Sequence, residues 1–338
     1  GKTTTKSEFS SHLHPRMFPV PLKGKYGKGQ MRMVHKQDKK VALVLSSGGA
    51  RGYAHIGAIS ELERQGFQVT SVAGTSMGAL VGGMYAAGHL QEVSRWLKSL
   101  TMWQVLSLAD LTLSRTHLAN PDRVLETLKQ IVPDVRIEKL PIPYCAVAAD
   151  IKNQKEVVFD HGSLYEAIRA SISLPSFFKP VMGRGSILMD GGLVNPLPLN
   201  RVKRHEGDLL AAVNVNAPVS AQVEALRQRA ERMSMQEHNN LVQRYLPSVQ
   251  SLENNHISLL SDAFSMSIVQ LTQLTLERQK PDILVEVPVN RFDADYDEAE
   301  RIIRYGQRKT REALTAYRLL SHEMSFAGTD TPASPKEQ

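Results

Sequence analysis

Continuous apolar runs of strand length alternate along this chain with stretches whose apolar residues recur at helical spacing. Val41-Ala42-Leu43-Val44-Leu45 is the first such run, and five unbroken apolar residues predict a strand buried on both faces. Ser46-Ser47-Gly48-Gly49-Ala50-Arg51-Gly52 follows at once. Tyr53 to Gln65 comes next, with Ile56, Ile59 and Leu62 on one helical face. The pattern then repeats: a short β-branched strand from Val69 to Ala73, the turn Gly74-Thr75-Ser76-Met77-Gly78, and a helix rich in Ala, Met and Leu from Met77 to Ala87. Further strands are predicted from Tyr144 to Ala149, Glu156 to Phe159, Ile187 to Met189, Leu209 to Val215 and Ile283 to Val287. Helices are predicted from Leu90 to Leu100, Pro121 to Ile131 (with Asn120 as cap), Ser163 to Ser173, Ile257 to Leu276 and Asp297 to Leu320. Strands alternating with helices predict an α/β fold: a three-layer sandwich with a mainly parallel central sheet and helices on both sides.

The regularity fails in four places. Residues 1–40 carry Gly, Pro and Ser without periodicity and read as an extension; residues 41–320 form the predicted domain. Val219 to Gln250 is strongly polar and belongs to a helical insertion spanning about 219–276. Thr101 to Thr116 is apolar but irregular, and 321–338 has the composition of a loose tail.

Charge sharpens this division. The chain of 338 residues has a net charge of +7. Residues 1–40 hold ten Lys and Arg against Glu8 and Asp38, so the extension carries +8 and the remainder −1. Its expected role is a solvated arm or an electrostatic attachment to anionic lipid headgroups; nucleic acid is not an expected partner, because no recognisable module accompanies the charge. No apolar signal core follows the basic start, so the expected location is cytoplasmic with peripheral membrane contact, while a signal removed ahead of Gly1 stays open. Cys145 is the one cysteine, set in an apolar run where a small core residue is expected, so neither an intrachain disulfide nor a cysteine metal cluster is available. No charged residue occurs from Gly66 through Gln91, but Gly, Ser and Thr dilute that run and a membrane span is disfavoured.

Candidate chemistry sits at the strand ends. Gly74-Thr75-Ser76-Met77-Gly78 is G-x-S-x-G at a strand-to-helix junction, where small neighbours let a serine hydroxyl project from the sheet edge and the helix N-terminus favours negative charge. Ser76 is the candidate nucleophile. The glycine turn at Gly48, Gly49 and Ala50 could cradle a phosphate or supply paired backbone donors to the oxyanion of a tetrahedral intermediate. No acidic residue ends the next strand to hold a ribose, which favours acyl transfer. Asp190, freed by Gly191 and Gly192 at the end of an apolar run, is placed to reach across a sheet edge. A Ser-Asp-His triad using His205 fits the chain order Ser76, Asp190, His205, and His55 lies close to the glycine turn.

Together, Gly48-Gly49-Ala50-Arg51-Gly52, Gly74-Thr75-Ser76-Met77-Gly78 and Asp190-Gly191-Gly192 resemble the patatin-like phospholipase family, its bacterial members in particular. The similarity takes in Ser171 to Pro180 and Pro281-Asp282-Ile283, and so about residues 41–315. The resemblance implies a serine lipid acyl hydrolase of phospholipase A, lysophospholipase or esterase type, acting on phospholipid or another acyl-ester lipid without cofactor or metal. It implies a dyad of Ser76 as nucleophile and Asp190 as general base, through an acyl-enzyme. It also implies an oxyanion hole from the backbone amides of Gly48, Gly49 and Ala50, with Arg51 supporting the loop or meeting a headgroup. A third glycine often precedes Gly48 in the family; here Ser47 stands there, and a positive φ at that position would strain it by about 1 kcal/mol or more. The alternatives are the Ser-Asp-His esterase and a non-catalytic lipid-binding protein on the same fold.

Overall fold

The computed structural model describes residues 39–99, 122–175, 178–218, 256–289 and 299–327. The expectations for residues 1–38, Thr101 to Thr116, Asn120, Val219 to Gln250 and 328–338 fall outside these residues.

The predicted alternation is realised. In chain order come β1 (Lys39–Leu45), a 3-10 turn (Gly49–Gly52), α1 (Tyr53–Arg64), β2 (Phe67–Thr75), α2 (Met77–Ala86), α3 (Leu90–Ser99), α4 (Asp122–Ile131), β3 (Tyr144–Asp150), β4 (Lys155–Phe159) and α5 (Leu164–Ser171). They are followed by β5 (Val181–Gly183), β6 (Ser186–Asp190), a second 3-10 turn (Gly191–Leu193), β7 (Leu209–Ala217), α6 (His256–Arg278), β8 (Ile283–Pro288) and α7 (Ala299–Ala327). The last helix passes Leu320 and takes up the start of the predicted tail, because no breaker intervenes before Gly328.

The strands form one eight-stranded sheet in the order β5-β6-β3-β2-β1-β7-β8, with β4 also on β3. The pairs β1/β2, β1/β7, β2/β3 and β7/β8 are parallel; β3/β4, β3/β6 and β5/β6 are antiparallel. This is the mainly parallel α/β sheet predicted, with a mixed edge.

That edge fixes the geometry that follows. β4 pairs Ala146 to Asp150 of β3 and overlaps both other partners of that strand, so β2 and β6 must share its opposite edge. Along it, Thr75 of β2 stands across from Val147, and Asp190 of β6 across from Ala148. Two strands running in opposite senses thus end at adjacent positions of a third.

Alternation along β1 separates two cores. Val41, Leu43 and Leu45 pack with α1, α2, α4, α5 and α7 residues such as Ile59, Met84, Leu128, Ile168 and Ile302. Ala42 and Val44 face the other way, onto Leu197, Leu199 and Val202 with Leu276 of α6 beside them. Most helices therefore lie on one face, while the second is covered by an irregular segment and one long helix. Cys145 is buried in the second core, as expected, and burial pushes its thiol up to about 12. Among the described residues no helix is long and apolar enough to cross a membrane; the uncharged run from Gly66 is β2 and α2, packed inside.

Candidate active site

Ser76 occupies the tight corner between β2 and α2 at φ 56 and ψ −123. A side chain at positive φ costs about 1–3 kcal/mol and persists only where its surroundings enforce it. Here they do. A Cβ on Gly78 would lie 2.3 Å from the carbonyl oxygen of Leu45, and one on Gly74 would lie 2.3 Å from that of Gly78. Ala79 and Leu80 donate to the Ser76 carbonyl at 2.9 and 3.1 Å, starting α2, while the Ser76 amide donates to Ser171 Oγ at 2.8 Å.

Asp190 ends β6 and caps the turn after it. Its Oδ1 accepts the Gly192 amide at 2.8 Å, and its own amide donates to the Ser173 carbonyl at 3.0 Å. Gly191 packs on β3, since a Cβ there would sit 2.2 Å from the Val147 oxygen. The carboxyl group is completely buried, and Oδ2 makes no well-formed hydrogen bond. The Ser76 hydroxyl is the side chain beside it, near enough to favour the ionised form. Burial outweighs that contact and the Gly192 amide, and raises the Asp190 pKa from 3.8 to about 7.

Asp150 supplies the contrast. It too is buried, yet the Asn153 side chain first, then the amides of Ile187 and Asn153, hold its carboxyl below the usual range. One aspartate is satisfied and the other keeps an unfilled oxygen.

The glycine turn stands against the serine corner. Gly52 leaves room for Met77, whose Cγ a Cβ there would meet at 2.1 Å. Gly48, at φ 159 and ψ 13, admits no side chain: its Cβ would lie 2.1 Å from Val215 Cγ2. Gly49 follows at φ 54. The positive φ values thus fall on glycines, and the strain anticipated for Ser47 does not arise; Ser47 donates its amide to Pro196 and accepts from Asn216 Nδ2 at 2.7 Å. Gly48, Gly49 and Ala50 open a 3-10 turn, where leading amides lack acceptors within the turn. Arg51 supports the loop: Nε donates to the Val215 carbonyl at 3.0 Å and Nη2 to Asn216 Oδ1 at 3.2 Å.

A strained serine, a buried aspartate at the adjacent register position and a glycine turn at the same sheet end can be compared with known proteins. The model of the patatin-like phospholipase family matches residues 43–202. That match takes in the glycine turn, Ser76 and Asp190. The chain is 45% identical over 186 residues to an uncharacterized NTE family protein of Mycobacterium tuberculosis, covering 55% of this chain and 52% of that protein. It is 34% identical over 184 residues to the neuropathy target esterase sws of Drosophila melanogaster, covering 52% of this chain and 13% of the other. The chain thus spans about half of the mycobacterial relative and a small part of the insect one. The crystal structure of VipD from Legionella pneumophila aligns with a TM-score of 0.43 at 16% identity, over 82% of this chain and 67% of that one.

Two supports of the site are residues to which the sequence assigns no role. Ser171 accepts from the Ser76 amide and donates to the Val147 carbonyl at 2.6 Å, joining the serine corner to β3. Asn216 bridges Ser47 and Arg51 from the end of β7.

Neither histidine joins the site. His55 is fully buried, with Nε2 2.8 Å from the Ser46 carbonyl and Nδ1 unpartnered; burial lowers its pKa to about 4, so it is neutral. His205 meets Asp208, whose Oδ2 also accepts from Thr70 near the start of β2. Thr70 precedes Ser76 by six residues of extended chain, about 20 Å, so the Ser-Asp-His arrangement is not formed. Ester turnover by His205→Ala is expected to stay within about twofold of wild type in a steady-state assay, as for other surface changes; a hundredfold loss would restore the triad. Among the described residues no group of three or more His, Cys, Asp or Glu side chains is arranged to hold a metal.

Proposed function

We propose that this chain is a serine lipid acyl hydrolase of phospholipase A, lysophospholipase or esterase type, working through Ser76 and Asp190. The observation that carries the reading is the Asp190 carboxyl: fully buried, titrating at about 7, with an unfilled oxygen beside the hydroxyl of a strained serine. A base poised near neutrality suits proton transfer in both directions.

In the proposed cycle Ser76 Oγ bonds to the acyl carbonyl carbon as its proton passes to Asp190 Oδ2. The carbonyl π pair moves onto oxygen, where the amides of Gly48, Gly49 and Ala50 receive the charge. Collapse breaks the bond to the leaving alcohol, which takes the proton from Asp190. Water then attacks the acyl-enzyme, giving its proton to Asp190, and the free acid leaves as Ser76 recovers its hydrogen. The domain match and the esterase name of the insect relative support an ester of a lipid as substrate. The basic extension supports peripheral attachment to anionic lipid.

A fluorophosphonate probe followed by peptide mapping tests the reading, alongside release of p-nitrophenol from a short-chain ester and fatty acid from a phospholipid panel. The expected adduct lies on the peptide containing Ser76, and the panel defines acyl position and headgroup. A protein that neither turns over any ester nor reacts with the probe would instead be the non-catalytic lipid binder.

A further inference from the structure

Two hairpin turns stand together beyond the active-site end of the sheet. β3 continues past the level of Ser76 to Asp150 and turns through Ile151–Gln154 into β4, while β5 and β6 are joined by the turn at Arg184 and Gly185. The turns are tied to each other: Asn153 Nδ2 donates to the Gly185 carbonyl at 2.9 Å, and the Ile151 amide to the Ile187 carbonyl at 2.9 Å. Asp150 holds the base of both, accepting from Asn153 and from the Ile187 amide. Counting along β3, their tips rise about 10 Å or more past Ser76, beyond the sheet end at which β2 gives way to the serine corner.

What this platform presents is unusual for a solvated surface. Met182 is 70% exposed and Ile151 46% exposed. Lys152, Lys155, Lys179 and Arg184 lie in these turns or within a few residues of them along the chain, all exposed, and none forms an ion pair among the described residues. The nearby carboxylates are withdrawn, Asp150 into its hydrogen bonds and Glu156 into its pair with Arg201. Unpaired cations around exposed apolar side chains match an anionic lipid–water interface, where cations meet headgroup phosphates and the apolar groups enter the layer below.

We propose that the paired β3–β4 and β5–β6 turns are the surface by which this chain docks on an anionic bilayer, holding the Ser76 opening toward the lipid. The choice of a lipid occupant rests on the acyl-hydrolase reading. The surface is built from residues other than those of the basic extension and adds orientation, which a charged arm alone does not give.

The full chain carrying Ser76→Ala, so that no lipid is consumed, is labelled at Met182→Cys with an environment-sensitive nitrobenzoxadiazole dye; the natural Cys145 is buried with a raised pKa and stays unlabelled. A second protein is labelled at Lys203→Cys, beside Ser71 toward the other end of β2. With vesicles of phosphatidylcholine and phosphatidylglycerol, the emission at 182 is expected to shift to the blue and that at 203 to stay fixed, with neither moving on pure phosphatidylcholine. Lys152→Glu combined with Arg184→Glu is expected to weaken anionic-vesicle binding at least about tenfold, while the same pair in the Ser76 protein leaves turnover of a water-soluble ester unchanged. Unshifted emission at 182 on bound protein, equal shifts at both positions, or absence of vesicle binding would overturn the docking surface. Failure of the Ser76 protein to cleave the soluble ester would instead strike the catalytic reading, since the emission measurements do not depend on turnover.

Discussion

Ser76→Ala is expected to lower kcat/KM for a short-chain ester by about 10⁴-fold or more, and Asp190→Asn by about 10³-fold, both in proteins that remain folded. The serine figure follows from removal of a covalent nucleophile, whose loss in a coupled constellation leaves only binding and oxyanion stabilisation. The aspartate figure follows from removal of a general base. Asn suits the test because its carbonyl oxygen can keep accepting from Gly192, as Oδ1 does at 2.8 Å, while the amide that replaces Oδ2 takes no proton. The double variant should be no worse than Ser76→Ala, since the base has nothing to activate once the hydroxyl is gone. Steady-state kinetics with circular dichroism as the folding control decide the matter. Activity above a tenth of wild type in either single variant would remove that residue from the mechanism.

The second large effect concerns stability, and its sign opposes the first. Asp190 is displaced from 3.8 to about 7 in the fold, so the folded state favours the protonated carboxyl. The stability associated with that preference is fully present below about pH 4 and is lost as pH rises through about 7. Each tenfold in proton affinity is about 1.4 kcal/mol, which makes the loss on the order of 4 kcal/mol at pH 8. Asp190→Asn should therefore be several kcal/mol more stable than wild type at pH 8 and nearly equal to it at pH 4, as measured by urea unfolding at both values. The same ionisation governs turnover: kcat/KM should fall tenfold per pH unit below about 7, because the base acts only when ionised. An Asn variant equally destabilised at both pH values would mean that the buried carboxyl is a structural anchor of the Asp150 kind.

The strands, the serine corner and the glycine turn were legible because each rests on contiguous residues. Val41 to Leu45 reads as a buried strand from five apolar letters, and Gly74 and Gly78 flank Ser76 within one pentapeptide. Asp190 could be singled out from its two glycines, but its adjacency to Ser76 could not, since that comes from β2 and β6 sharing one edge of β3. Ser171 lies in a stretch that the resemblance takes in, but its role is hidden for the same reason: it meets Ser76 across 95 residues, and a serine ending a helix has no distinctive pattern. β5 escaped because three residues are too few for alternation to register. The condition for strain at Ser47 is not met, because the loop places its positive φ values on Gly48 and Gly49. His205 fitted a triad by chain order alone, and only the sheet shows it at the wrong end of the strand.

The segment from Ser171 to Ser173 grips both members of the pair, taking the Ser76 amide on a side-chain oxygen and the Asp190 amide on a carbonyl two residues later. Three consecutive residues thus fasten the backbones of serine and aspartate to a common anchor, so a lesion anywhere in that tripeptide is expected to disturb the two together.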